Sequence, residues 1–119
     1  MTGGREGRSL PGSSEGVAAE PRSAVDVVLD LVEEVPRGRV TTYGDLARMA
    51  SDLLPRPVGA RSVARIMGSS PRPVPWWRVV GHDGRLPPGL EREALNHLAA
   101  EHCPLRGERA DIARARWSG

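Results

Sequence analysis

The sequence predicts a mainly α domain, a helix-turn-helix with a small β wing. Three observations point there. Four segments repeat apolar residues at helical spacing, and two of them are separated by only a short Pro-bearing break. The second of that pair is rich in small residues and carries two arginines four apart. Strand signals are confined to short runs, at Val40-Thr41, Val79-Val80 and Leu86.

Each element has a local cause. Val25, Val28, Leu29, Val32 and Val35 recur at helical spacing after Ser23, which can cap, with Asp26 in the first turn. Pro36 and Gly38 end that helix. Thr42 is placed to cap a second helix, with Asp45 three residues on and a stripe of Leu46, Met49, Ala50 and Leu53. Pro55 and Pro57 break it. A third helix is predicted from about Val58 to Met67, with Val63, Ile66 and Met67 facing the core. Arg61 and Arg65 share its opposite face. Pro71, Pro73 and Pro75 impose an extended loop. Val79-Val80, the Asp83-Gly84 turn and Leu86 then read as a small hairpin wing. A last helix is expected over Leu90 to His102, with Leu90, Ala94, Leu95 and Leu98 on its apolar face. Trp117 is expected to dock back onto the domain.

Composition narrows the classes. The chain has 119 residues, 39% of them hydrophobic, and a mean hydropathy of −0.38. That suits one small domain and excludes a barrel enzyme or a two-lobed transferase. Residues 1–21 are rich in Gly, Ser, Pro and Glu and read as a disordered tail ahead of a domain over 22–119. No apolar run approaches the roughly 20 residues of a membrane span, and the N-terminus has no apolar stretch of a secretory signal. A soluble cytoplasmic protein is the expectation. All 17 basic residues are Arg, a bias that a GC-rich genome also produces. The net charge is +2, yet residues 36–85 alone carry +6. A basic middle of this kind reads as a nucleic-acid footprint or as a solvated Arg-rich surface.

The familiar catalytic constellations are missing. Cys103 is the one cysteine, so no disulfide framework forms within the chain. Its neighbour His102 cannot hold the geometry of a Cys–His pair. A position near a helix C-terminus gives the dipole the wrong sign to activate a thiol. Cys103 therefore reads as structural. His82, His97 and His102 lack a zinc-ligand spacing, and Gly3, Gly4 and Gly7 have no strand before them to make a phosphate loop. No cofactor and no metal are expected. What stands out is Pro75-Trp76-Trp77-Arg78-Val79-Val80, behind the Arg-bearing helix. The tryptophans are either a packed pair or an aromatic wall for a flat ligand such as a base.

These residues resemble a known family. PWWRVV, preceded by GRVTTYGDLA and GARSVARIM and followed by the ARARW ending, is similar to the DNA-binding domain of O6-alkylguanine-DNA alkyltransferases. Their signature reads Pro-Cys-His-Arg-Val, and its Cys accepts the alkyl group. Here Trp76 stands at the Cys and Trp77 at the His, so the chain resembles the alkyltransferase-like proteins. The resemblance covers about residues 22–119. It implies a winged helix-turn-helix that enters the DNA minor groove and flips a damaged guanine into a pocket. It makes Arg61 the finger that replaces the guanine in the stack and Tyr43 the residue that presses on the 3′ phosphate. Gly59, Ala60, Ser62 and Ala64 become the small face admitted by a groove about 6 Å wide. Thr42 and Arg65 join this DNA-contacting set. Tyr43, Met67, Pro73, Trp76, Trp77 and Val79 are expected to line the lesion pocket, with Arg78 structural.

An indole cannot take an alkyl group by in-line displacement at neutral pH, so no transfer is expected and the protein reads as a non-enzymatic sensor. The implied partners are duplex DNA containing O6-alkylguanine and the damage-recognition proteins of nucleotide excision repair, and a monomer is expected. Some alkyltransferase-like proteins sense the guanine with an arginine after the signature. The matching stretch here is Leu86-Pro87-Pro88-Gly89, and neither Arg85 nor Arg92 is a clean match. Two rival readings remain. One is a winged-helix transcription regulator indifferent to alkylation; the other is a residual enzyme using Cys103.

Overall fold

The computed structural model describes residues 22–119, and the predicted tail over 1–21 lies outside the described residues. Helix α1 spans Ala24–Glu34. Ser23 caps it, its Oγ accepting from the Asp26 N–H at 3.1 Å. Val27, Val28, Leu29, Leu31 and Val32 are buried, so the apolar face is broader than the predicted stripe. Strand β1, Thr41–Thr42, leads straight into α2, Tyr43–Leu53, which Thr42 caps by accepting from the Asp45 N–H at 3.0 Å. Helix α3 spans Ala60–Gly68 after Gly59. The three helices pack around Val28, Leu29, Val32, Leu46, Ala50 and Val63, all within the first of two buried clusters.

Two expected stripes are corrected at their ends. Leu53 is 63% exposed, because α2 is already leaving the core as Pro55 approaches. Leu90 is 43% exposed and only precedes α4, which spans Glu91–Ala100; Ala94 and Leu98 supply its buried face.

The β structure also differs from the predicted hairpin. Strand β2, Val79–Val80, pairs in parallel with β1, Thr41 opposite Val79 and Thr42 opposite Val80. The Asp83-Gly84 turn does form, closed by the Gly81 N–H donating to the Arg85 carbonyl at 2.9 Å. No return strand follows at Leu86, which is instead buried in the second cluster. The antiparallel pair is further on: β3, Leu105–Arg106, against β4, Arg109–Ala110. Gly84 is held at φ +86°, and an added Cβ there would meet the Ala110 carbonyl oxygen at 2.1 Å. The glycine therefore lets β4 close onto the turn, with the Ala110 N–H donating to the Gly84 carbonyl. A short helix α5, Ile112–Ala115, precedes Trp117. The chain docks back onto the domain at this point as expected, the Trp117 backbone N–H donating to the Val40 carbonyl at 2.7 Å.

The second cluster joins Val40, Val80, Leu86, Ala94, Leu98, Cys103 and Ala115, with Trp76 and Trp77 packed at its margin. Tyr43 and Met67 lie at the margin of the first. The functional candidates thus sit where the two clusters meet.

Candidate nucleic-acid interface and its cavity

A cavity of about 430 Å³ opens at this seam. That lies within the roughly 300–1,000 Å³ of small-ligand sites. Tyr43 at the start of α2 forms one wall, and Ala64, Met67 and Gly68 of α3 form another. Pro73, Val74 and Trp76, with Pro87, Pro88 and Leu90 from the loop before α4, complete the lining. Of the expected pocket residues the structure brings Tyr43, Met67, Pro73 and Trp76 together here. Sequence reading missed Gly68, Ser70, Arg72, Val74, Pro87, Pro88 and Leu90. Gly68, Ser70, Arg72 and Val74 flank expected lining residues in the chain, whereas Pro87, Pro88 and Leu90 reach the cavity only through folding, so no local signal marks them.

Trp77 and Val79 are elsewhere, against expectation. Val79 is 1% exposed within the first cluster, because its strand pairs with β1. Trp77 lies behind Trp76, ring centroids 5.7 Å apart at 84°. Its indole N–H donates to Glu101 Oε2 at 2.9 Å. Successive residues of the short 3-10 turn Trp76–Arg78 point in different directions, and that turn was not expected from the sequence.

Glu101 is the hub behind the cavity. Arg78 donates to both its oxygens, at 3.0 and 2.7 Å, and the Gly38 N–H donates at 3.0 Å. Arg78 also donates to the Val35 carbonyl at 2.9 Å. Burial pushes the Glu101 carboxyl up, but the Arg78 guanidinium and the Gly38 and Trp77 N–H donors outweigh it and bring it to about 2. Arg78 is structural, as expected.

The exposed face of α3 carries Ala60, Arg61, Ala64 and Arg65, with Ser62 half-buried. Arg61 is one turn before the cavity-lining Ala64, on the same helical face. Gly59 is exposed, and a Cβ there would meet nothing within 4 Å, so packing within the chain does not explain its smallness. Thr42 is 7% exposed and its hydroxyl caps α2. Tyr43 is half-buried, and burial pushes its phenol up, so the hydroxyl stays protonated and able to donate.

Asp45 anchors the same helix end. Arg116 donates to both its oxygens at 2.8 and 2.6 Å, and Arg48 adds a third contact. The Arg116 hydrogen bonds outweigh burial and hold the Asp45 carboxyl below the usual range. Cys103 is 5% exposed in the second cluster and does not line the cavity. Burial, then the nearby Glu101 charge, raises its thiol, with partial relief from Arg39. Among the described residues no group of three His, Cys, Asp or Glu could hold a metal.

Comparison with known proteins gives a consistent result. Residues 24–102 match the family model of the 6-O-methylguanine DNA methyltransferase DNA-binding domain. A DNA base-flipping protein of Escherichia coli is 35% identical over 97 residues, covering 76% of this chain and 71% of that one. A bifunctional methyltransferase/endonuclease of Thermoplasma volcanium is 40% identical over 62 residues, half of this chain and 18% of that one. The crystal structure of S. pombe Atl1 with damaged DNA containing O6-carboxymethylguanine superposes with a TM-score of 0.66 at 25% identity, covering 81% and 95% of the two chains.

Proposed function

The chain belongs to the family of the 6-O-methylguanine DNA methyltransferase DNA-binding domain, and from that premise we propose that it is a non-enzymatic sensor of O6-alkylguanine in duplex DNA. One observation carries the reading: a base-sized cavity backed by an indole opens beside an exposed small-residue helix bearing Arg61.

The parts divide the work. Helix α3 enters the minor groove, because Gly59, Ala60, Ser62 and Ala64 add little bulk there. Arg61 fills the gap in the stack, an insertion that costs a few kcal/mol in unstacking. Tyr43 donates to the phosphate beside the rotated nucleotide. The flipped base enters between Tyr43 and Met67 and meets Trp76 at the back. Contacts with the indole face offset part of the flipping cost, base–aromatic stacking being worth about 1–3 kcal/mol. Trp76 occupies the position of the family's alkyl-accepting Cys and offers no thiolate, while Cys103 is buried away from the cavity. The lesion is therefore bound and not repaired in place. Hand-off to nucleotide excision repair completes the proposal, and its support is the family resemblance.

The base-flipping relative and the damaged-DNA complex of the S. pombe protein support this reading. Arg61→Ala and Tyr43→Ala, each measured for equilibrium binding to a duplex with one O6-methylguanine, test it. Both are expected to lose lesion binding by tenfold or more, about 1.4 kcal/mol or greater. Unchanged affinity in both variants would reject the flipping model.

A further inference from the structure

Behind Trp76 lies an arrangement of rings that the lesion reading does not by itself require. His97, in the last turn of α4, stacks on Trp77 with centroids 3.8 Å apart and planes within 10°. Trp76 meets both rings edge-on, at 84° to Trp77 and 81° to His97, with centroids 5.7 and 6.0 Å away. Four residues after His97, on the same helical face, Glu101 takes the Trp77 indole N–H. One end of α4 therefore grips Trp77 twice, on its face through His97 and at its edge through Glu101. The guanidinium carbon of Arg78 lies 5.7 Å from the Trp77 ring.

Resting on the proposed function, we infer that His97 is a positioning residue for the lesion cavity. It acts through Trp77 to fix the angle at which Trp76 presents its ring to a flipped base. The physical reason is pre-organisation. Trp76 lines the cavity, and a lining ring free to change rotamer must be ordered when a base arrives. Two perpendicular rings behind it favour one orientation, since edge-to-face aromatic contacts are directional. His97 does not line the cavity, so its route to a base held there is through the ring stack. An effect through phosphate contact would instead appear on both duplexes alike.

Three proteins test this: wild type, His97→Ala and His97→Phe. Alanine removes the ring and is a good helix former; phenylalanine restores an aromatic face. Each is titrated with two duplexes that differ only by one O6-methylguanine, and each is followed by thermal unfolding and near-ultraviolet circular dichroism. For His97→Ala the preference for the modified duplex is expected to fall about three- to tenfold, the worth of an aromatic edge contact. Affinity for the unmodified duplex should hold, and the tryptophan dichroism should weaken. His97→Phe should recover both. A wild-type preference left intact in His97→Ala would overturn the role of His97 while leaving the lesion reading standing. A proportionate loss on both duplexes with a lower melting temperature would assign His97 to general stability and overturn it as well. No preference in the wild-type protein would overturn the lesion reading and this inference together.

Discussion

Glu101 and Arg78 form a single buried pair whose carboxylate also takes the Trp77 indole N–H. The Glu101 side chain is 3% exposed and that of Arg78 is 11%. Removing one partner of such a pair costs about 3–5 kcal/mol, because the other charge stays buried alone. The carboxyl, ordinarily at 4.5, is brought to about 2 in the folded protein. A depressed acid stabilises the fold above its unfolded value and loses that contribution as pH falls. Stability should thus be level above about pH 4.5 and decline towards pH 2, with at most about 3 kcal/mol from this group. Glu101→Gln is expected to lower the melting temperature at pH 7 and to flatten the acid limb. Asp45, also held low, leaves some slope behind. Melting temperatures from pH 2 to 7 for both proteins check this, and an unchanged acid limb in Glu101→Gln would contradict it.

Helices α2 and α3 separate stability from recognition. Thr42→Ala removes the cap of α2 and should cost about 1 kcal/mol in unfolding free energy. Ala60 is exposed at the start of α3, so Ala60→Leu should change stability by less than about 0.5 kcal/mol. The same leucine would add bulk to the face assigned to the groove and should weaken DNA binding at least tenfold. Denaturant melts and duplex titrations on both variants read the two effects apart. Wild-type affinity in Ala60→Leu would mean that α3 does not enter the groove.

Such local devices are visible in a sequence because their partners are three or four residues away, as at Ser23–Asp26 and Thr42–Asp45. The pairing of β2 with β1 joins residues 38 positions apart and leaves no local pattern, which is why the Asp83-Gly84 turn read as a hairpin. Gly84 closes instead onto Ala110, and Trp77 turns to Glu101, for the same reason. Tyr43, Met67, Pro73 and Trp76 line one cavity, a grouping that the family resemblance implies and periodicity alone does not assemble.

Across the whole molecule the basic middle is smaller than its formal charge. Residues 36–85 carry +6, but two of their arginines are paired with acids outside that segment, Arg78 with the buried Glu101 and Arg72 with Asp30. Arg61 and Arg65 have no acidic partner among the described residues and lie on the exposed face of α3. Phosphate contacts by a few such arginines make binding steeply salt-dependent, with log K falling by about 0.9 per log unit of salt for each phosphate neutralised. On the proposed function that component ignores the lesion, whereas the cavity contributes only when a base is flipped into it. The direct measurement is equilibrium binding to two duplexes identical but for one O6-methylguanine, repeated at several salt concentrations. Affinity for both should fall with salt at a similar slope, while the modified duplex keeps its advantage throughout. Equal binding to both duplexes at every salt concentration would contradict the sensor reading and leave a DNA-binding domain indifferent to alkylation.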